Sequence, residues 1–214
     1  MIFKHSVGVL DSLVVLSPKV IGVVTVSLIS VGVLSLLALG MLNKESVTGR
    51  SGITRLDKPA PDFTLKLFDG NELTLAEHIG QPMVINFWNP SCPPCRREAP
   101  FLEKTWRSYM DDGVQFIGVG LPMLDTEQSS KDYVKHFDIT YPNGLDKNGT
   151  ITVEYGVIGL PVTFFVNREG IVERRWVGAI GEEQLVAWVK ELGSGIPPSE
   201  RAEGENPEDY VGFK

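Results

Sequence analysis

The chain has 214 residues, of which 43% are hydrophobic and 22% charged, an ordinary globular composition that suits one domain with appendages or two small domains. Its 27 acidic residues outnumber the 20 basic ones, and this net charge of −7, with no basic stripe, argues against nucleic-acid binding. Two cysteines are too few for a disulfide-rich scaffold or a four-cysteine zinc site, and the three histidines lie far from them in sequence. We therefore predict no metal site and no cofactor.

The first predicted element is an apolar segment over residues 20–42, VIGVVTVSLISVGVLSLLALGML, which contains no charged residue. About 20 such residues cross the hydrocarbon core of a bilayer as a helix, so the segment predicts one transmembrane helix in contact with lipid, after a short N-terminal segment, 1–19. A cleaved signal peptide is the alternative, with Ala38-Leu39-Gly40 as its cleavage site. The apolar region of a signal peptide is normally shorter, about 7–15 residues, which favours a permanent anchor.

Three further regions follow the anchor. Residues 43–57 are polar and rich in Gly, Ser and Thr, which predicts a flexible linker. Residues 58–193 carry alternating and helical apolar patterns and form the predicted folded domain. Residues 194–214 are rich in Pro, Gly and Glu without apolar periodicity, and we predict a disordered acidic tail.

The folded domain begins with a predicted β-hairpin around Asp69-Gly70, because apolar residues alternate with polar ones on both sides of this turn. Short apolar runs then predict buried strands, and amphipathic stretches between them predict helices. The strands are MVINFW (83–88), VQFIGV (114–119), VTFFV (162–166) and 171–177; the helices are 93–110, 129–137 and 182–192. Alternating strands and helices that close on a hairpin predict a central mixed sheet covered on both faces.

Both cysteines lie in the stretch NPSCPPCRREAP, directly after the MVINFW strand. A disulfide across this four-residue ring would stabilise the fold by roughly 2 kcal/mol, against about 4.7 for a 100-residue ring, so chemistry is the better explanation for the pair. With Pro93 in the first helical turn, the sulfur of Cys92 faces the positive end of the helix dipole, which favours a thiolate. Cys95, one turn further in, is then placed to attack a mixed disulfide formed on Cys92.

The stretches NFWNPSCPPCRREAPFLEK and GLPVTFFVNREG, together with the hairpin before them, resemble the thioredoxin superfamily. The resemblance covers about residues 58–192. Within the superfamily, the chain most resembles membrane-anchored thiol–disulfide oxidoreductases of the TlpA, ResA and CcmG type. It implies a thioredoxin-like α/β fold with an N-terminal β-hairpin. Two departures stand out: Ser91 replaces the tryptophan usual before the first cysteine, and Asn86 replaces the buried acid of thioredoxin, which removes one proton acceptor.

The resemblance also implies roles for other residues. Glu98 falls at the position of the family's active-site glutamate, which exchanges a proton with the second thiol. The alternative is that Glu98 has no catalytic function, because an acidic residue is favourable in the first turns of any helix. Pro161 is expected to follow a cis peptide bond and to pack against the cysteines. Leu160 and Val162 would then line a groove that binds an extended substrate backbone. Trp88 would either fill the core or shield the sulfurs and contact substrate.

The sequence is compatible with several functions. The first is reduction of disulfides in client proteins, possible clients being apocytochromes c during cytochrome c maturation, with electrons supplied through the membrane by a transporter of the CcdA or DsbD type. The second is disulfide donation by the same site, and the third is a membrane-tethered peptide-binding module with an inactive CxxC. A peroxidase is disfavoured, because Asn89 and Cys92 stand three residues before the cysteines, where peroxiredoxin-like sites have Thr or Ser.

The membrane orientation rests on two opposing arguments. More basic residues follow the anchor than precede it, and the positive-inside rule taken alone favours a cytosolic domain. Disulfide exchange with secreted clients instead requires a compartment in which disulfides form. Because long domains translocate largely regardless of loop charge, we predict a single-pass membrane protein with its domain on the extracytoplasmic side.

Overall fold

A computed structural model describes residues 17–42, 56–123, 125–195, 203–205 and 211–212. The chain divides into two compact units, Met1–Glu45 and Ser46–Lys214. The first contains helix α1, Pro18–Leu42, which covers the whole apolar segment. By length and hydropathy, no helix in the described ranges qualifies as a membrane span, so the predicted transmembrane helix stays a prediction. The predicted segments 1–19 and 43–57 fall almost wholly outside the described residues.

The second unit contains the remaining described strands and helices. Its strands are β1 (Thr64–Lys66), β2 (Glu72–Thr74), β3 (Met83–Trp88), β4 (Gln115–Gly120), β5 (Asn143–Leu145), β6 (Gly159–Leu160), β7 (Val162–Val166), β8 (Val172–Val177), β9 (Glu203–Glu205) and β10 (Val211–Gly212). Its α-helices are α2 (Pro93–Tyr109), α3 (Glu127–His136), α4 (Thr150–Glu154) and α5 (Glu182–Ser194), and short 3₁₀ turns cover Leu75–His78 and Met110–Asp112.

A mixed sheet of six strands, in the order β5-β4-β3-β7-β8-β9, forms the centre of this unit. Strand β3 pairs parallel with β4 and antiparallel with β7. All residues of β3 and β7 are buried, as expected for strands whose both faces are covered. This arrangement confirms the predicted mixed α/β sheet, and it places the carboxyl end of β3, from which α2 starts, in the middle of the sheet.

The predicted hairpin is confirmed as β1 and β2, in which Leu65 and Leu73 are paired and buried. Behind it, the backbone of Gly144 in β5 approaches the hairpin so closely that a Cβ there would lie 2.2 Å from the Lys66 carbonyl oxygen. The amide of Phe68 also donates to the Asn143 carbonyl oxygen at 2.9 Å. A glycine at 144 therefore lets the hairpin dock on the edge of the sheet.

Three features differ from the sequence-based expectations. Strand β5 and helix α4 are too short to give a periodic signal. Within the predicted disordered tail, 194–214, the described residues 203–205 and 211–212 form β9 and β10, which pair with β8 and β6. For the rest of the tail beyond residue 195, which lies outside the described residues, disorder stays a prediction. Pairing with an open strand edge uses backbone groups, so it needs no apolar side-chain pattern that a sequence would reveal.

Candidate active site

The two cysteines lie where β3 leads into α2. Cys92 is the N-cap residue of α2 and has an extended backbone, and Cys95 lies in the first helical turn. Their sulfurs are joined in a disulfide with an S–S distance of 2.05 Å. Cys92 is 5% exposed and Cys95 is 0% exposed, so Cys92 is the cysteine that a partner can reach. This difference in exposure agrees with the predicted order of attack.

The start of α2 favours negative charge on the Cys92 sulfur. Pro93 and Pro94 have no N–H group, so the Cys95 amide is the first helical amide that can donate, and it donates to Cys92 Sγ at 3.2 Å. The positive end of the helix dipole acts at the same atom. Both effects stabilise a thiolate, the form in which a cysteine attacks a disulfide.

Glu98 lies three residues after Cys95, on the neighbouring face of α2, and is 1% exposed. Its Oε1 accepts a hydrogen bond from Asn86 Nδ2 at 2.8 Å, and its Oε2 accepts one from the Ile180 amide at 2.9 Å. Burial raises the pKa of Glu98 from 4.5 to about 8, although these hydrogen bonds and the charge of Arg97 act in the opposite direction. A carboxyl group with this pKa exchanges protons near neutral pH, as its predicted role requires.

Asn86, which stands where thioredoxin has a buried acid, makes hydrogen bonds of its own at this site. Its side-chain amide is buried in β3 and donates to Thr163 Oγ1 at 3.0 Å as well as to Glu98. Asn86 therefore fixes one carboxylate oxygen of Glu98 and links it to β7. A buried asparagine within an apolar strand must find a hydrogen-bond partner, and this requirement was the signal in MVINFW that could have exposed the link.

The peptide bond between Leu160 and Pro161 is cis, as the resemblance implies. Pro161 separates β6 from β7, and its carbonyl oxygen accepts a hydrogen bond from the Gly178 amide at 2.9 Å. The predicted contribution of Val162 to a groove is not supported, because Val162 pairs with Phe87 on one side and with β8 on the other and its side chain is fully buried. Pairing of an extended substrate with the backbone of Leu160, at the end of the short strand β6, stays a prediction.

Trp88 is anchored inside the protein. Its indole N–H donates to Asn143 Oδ1 at 3.0 Å, and its ring stacks on Tyr133 with centroids 4.3 Å apart. The Tyr133 hydroxyl in turn donates to the Cys95 carbonyl oxygen at 2.9 Å. Trp88 is 1% exposed and supports the first turn of α2 through Tyr133, and its predicted contact with substrate stays a prediction.

The chain is similar in sequence to known thiol–disulfide oxidoreductases. Residues 56–175 match the model of the AhpC/TSA family. The chain is 32% identical over 137 residues to the thiol–disulfide oxidoreductase ResA of Bacillus thuringiensis subsp. konkukian, an alignment that covers 64% of this chain and 78% of the relative. The chain belongs to the AhpC/TSA family and is a thiol–disulfide oxidoreductase of the ResA type.

Two solved structures extend the likeness of this oxidoreductase to three dimensions. StoA from Bacillus subtilis superimposes with a TM-score of 0.55 at 29% identity, over 61% of this chain and 97% of that one. A secreted disulfide oxidoreductase of Mycobacterium tuberculosis, homologous to E. coli DsbE, gives a TM-score of 0.56 at 26% identity, over 61% and 96%. Together they confirm the thioredoxin-like fold.

The arrangement provides for dithiol–disulfide exchange in two steps. The Cys92 thiolate attacks one sulfur of a client disulfide, a Cys92–client disulfide forms, and the other client sulfur leaves as a thiolate. Cys95 then gives up its proton, for which Glu98 is the predicted acceptor, and attacks Cys92 Sγ. The second client sulfur leaves, so the client ends as a dithiol and the oxidoreductase as the Cys92–Cys95 disulfide. Run backwards, the same steps oxidise a client.

The loop before Cys92 is held by contacts that the sequence did not reveal. Ser91 Oγ donates to Asp125 Oδ1 at 2.7 Å, and the Ser91 amide donates to Asn89 Oδ1 at 2.9 Å. Asn89 Nδ2 donates to the Leu121 carbonyl oxygen at 2.7 Å. The serine that replaces the usual tryptophan therefore ties the cysteine loop to the segment after β4 and leaves a smaller side chain beside Cys92.

Proposed function

We propose that this oxidoreductase reduces disulfides of client proteins outside the cytosol. The observation that carries the proposal is the CxxC pair at the start of α2, with Cys92 reachable and the buried Glu98, of pKa about 8, three residues behind Cys95. Cysteines that attach haem in apocytochromes c are the clients that the family resemblance favours. Electrons would come from a membrane transporter of the CcdA or DsbD type, because the two cysteines of the chain hold one pair of electrons, which the reduction of one client disulfide consumes.

We place the domain on the extracytoplasmic side of the membrane, with α1 as its anchor. Among the α1 side chains that the structure describes, eight large apolar ones are exposed by 42–66%, and a lipid environment would cover such a surface. They are Val20, Ile21, Val24, Leu28, Ile29, Val31, Val33 and Leu34. The similar Mycobacterium tuberculosis protein is a secreted one, and disulfides persist in such compartments, which supports the same side.

The direction of electron flow is tested by the equilibrium reduction potential of the full-length protein in detergent. For a reductant we expect a value near that of thioredoxin, about −270 mV, because such a dithiol loses electrons to most exposed disulfides. Equilibration with glutathione or dithiothreitol buffers, followed by alkylation of free thiols, measures it. A value near about −120 mV would reverse the proposal and make the protein a disulfide donor.

The placement is tested by labelling reduced cysteines in intact cells with a membrane-impermeant maleimide. We expect Cys92 to react before lysis, since it is the only partly exposed cysteine of the pair. Cys92→Ser is the control for labelling of other sites. Protection of Cys92 until the cells are lysed would place the domain in the cytosol.

A further inference from the structure

The C-terminal segment of the chain lies on the strand that precedes the cis proline. Strand β10 pairs antiparallel with β6, with Val211 opposite Leu160 and Gly212 opposite Gly159. Leu160 is the residue whose backbone is predicted to pair with an extended peptide. Residues 211–212 therefore hold the position on β6 that the resemblance assigns to a client backbone.

Without β10, the edge of strand β6 would be unpaired. Among the described residues, β6 and β10 form a two-stranded sheet of their own, and β6 has no other strand partner. An open strand edge presents unpaired N–H and C=O groups that accept any extended segment of suitable geometry. Because one glycine pair, Gly159 and Gly212, forms half of the register, pairing here depends on the backbone rather than on side-chain pockets.

Strand β9 keeps the C-terminal segment near this edge. It pairs parallel with β8, with Arg175 opposite Glu203 and Val177 opposite Glu205. Only five residues, 206–210, separate β9 from β10. A segment tethered this closely has an effective concentration in the millimolar range, so it competes with free clients even if its own pairing is weak.

We propose that residues 211–212 occupy the edge of β6, where the family resemblance places an extended client backbone, until a client displaces them. The inference rests on the proposed function, because it takes the clients to be disulfides in extended protein segments. It adds that entry of a client requires release of β10. Small disulfides, which need no backbone pairing, are not subject to this competition.

The test compares two disulfide substrates in the full-length protein and in a variant that cannot form β10. Alternate residue pairs of an antiparallel ladder exchange hydrogen bonds, so both positions are changed, as Val211→Pro with Gly212→Pro. The matched control, Val211→Thr with Gly212→Ala, keeps both N–H groups. The substrates are a ten-residue peptide with a mixed disulfide at a central cysteine and the small reagent 5,5′-dithiobis(2-nitrobenzoate), each mixed with reduced enzyme by stopped flow.

We expect the proline variant to react with the peptide about tenfold faster than the natural chain, the change expected when one or two competing backbone hydrogen bonds are lost. The rate with the small disulfide and all rates of the control variant should stay within twofold. Equal peptide rates in the natural and proline chains, with normal small-disulfide rates, would overturn the inference while leaving the proposed function in place. Loss of both reactions in the natural chain would instead overturn the proposed function.

Hydrogen exchange gives a readout that does not depend on catalysis. We expect the Leu160 and Gly159 amide region to exchange faster in the proline variant than in the control, because β10 no longer covers it. A chain that ends at residue 195 should show the same increase. Unchanged exchange in both shortened and proline chains would show that β10 does not occupy the edge, and the inference would fail.

Discussion

Replacing Cys95 by serine is expected to convert the enzyme into a trap for its clients. Cys92 keeps its position as the N-cap of α2, where its sulfur accepts the residue-95 amide, so it still attacks a client disulfide. The serine hydroxyl cannot attack Cys92 Sγ, and the mixed disulfide therefore persists. Non-reducing electrophoresis of cells that express the variant should show covalent complexes that disappear on reduction, and mass spectrometry identifies the clients.

The matched variant Cys92→Ser separates the two sulfurs. We expect it to form no complexes and to reduce protein disulfides at least about a thousandfold more slowly, because Cys95 is fully buried and no reachable thiolate remains. Complexes formed equally by both variants would show that either sulfur can attack, and they would contradict the assignment of Cys92 as nucleophile. An absence of complexes with Cys95→Ser would favour the inactive binding module.

Replacing Glu98 by glutamine is expected to change both the rate and its dependence on pH. The carboxylate is the predicted acceptor for the Cys95 proton, and loss of a positioned proton acceptor costs about 10²-fold or more in the step that it serves. Since the pKa of Glu98 is raised to about 8, the ionised acceptor form becomes more abundant as the pH rises from 6 to 9. Single-turnover release of a client from the mixed disulfide should accelerate over this pH range in the natural protein. In the Glu98→Gln variant this acceleration should be absent.

The same residue makes a prediction for stability. The free carboxyl loses its proton near 4.5, and the buried one holds it to about 8, so between these values the native state binds more protons than the unfolded state. The free energy of unfolding therefore falls as the pH rises through this window, by at most about 1.4 kcal/mol per pH unit from this group. Urea unfolding of the oxidised protein at pH 5 to 8 should show this decline, and Glu98→Gln should flatten it.

Glu103 provides the control for both measurements. It is also a buried carboxylate of α2, but it bonds to Arg107 and to the amide and hydroxyl of Thr140, away from the cysteines. Glu103→Gln should lower stability without altering the pH profile of client release. An unchanged profile in Glu98→Gln, or an equal change in both variants, would contradict the proton-transfer role.

The sequence was sufficient for the parts of this protein that depend on local patterns. MVINFW and VTFFV predict buried strands because their apolar runs cannot face water, and CPPC predicts a reactive cysteine because a helix starts there. The hairpin around Asp69-Gly70 follows from strict alternation. These elements also carry the family resemblance, so the sequence alone predicts the fold and the exchange chemistry.

Contacts between distant segments were decided only by the tertiary structure. Asn86, Glu98 and Ile180 meet because β3, α2 and the loop before α5 converge, and the resulting burial, which no local pattern encodes, sets the pKa of the carboxyl group. Residues 203–205 and 211–212 form strands because open edges on β8 and β6 accept their backbone. Composition reports how much apolar surface a segment can bury, but a strand added at an edge is held by main-chain hydrogen bonds, which every sequence can make.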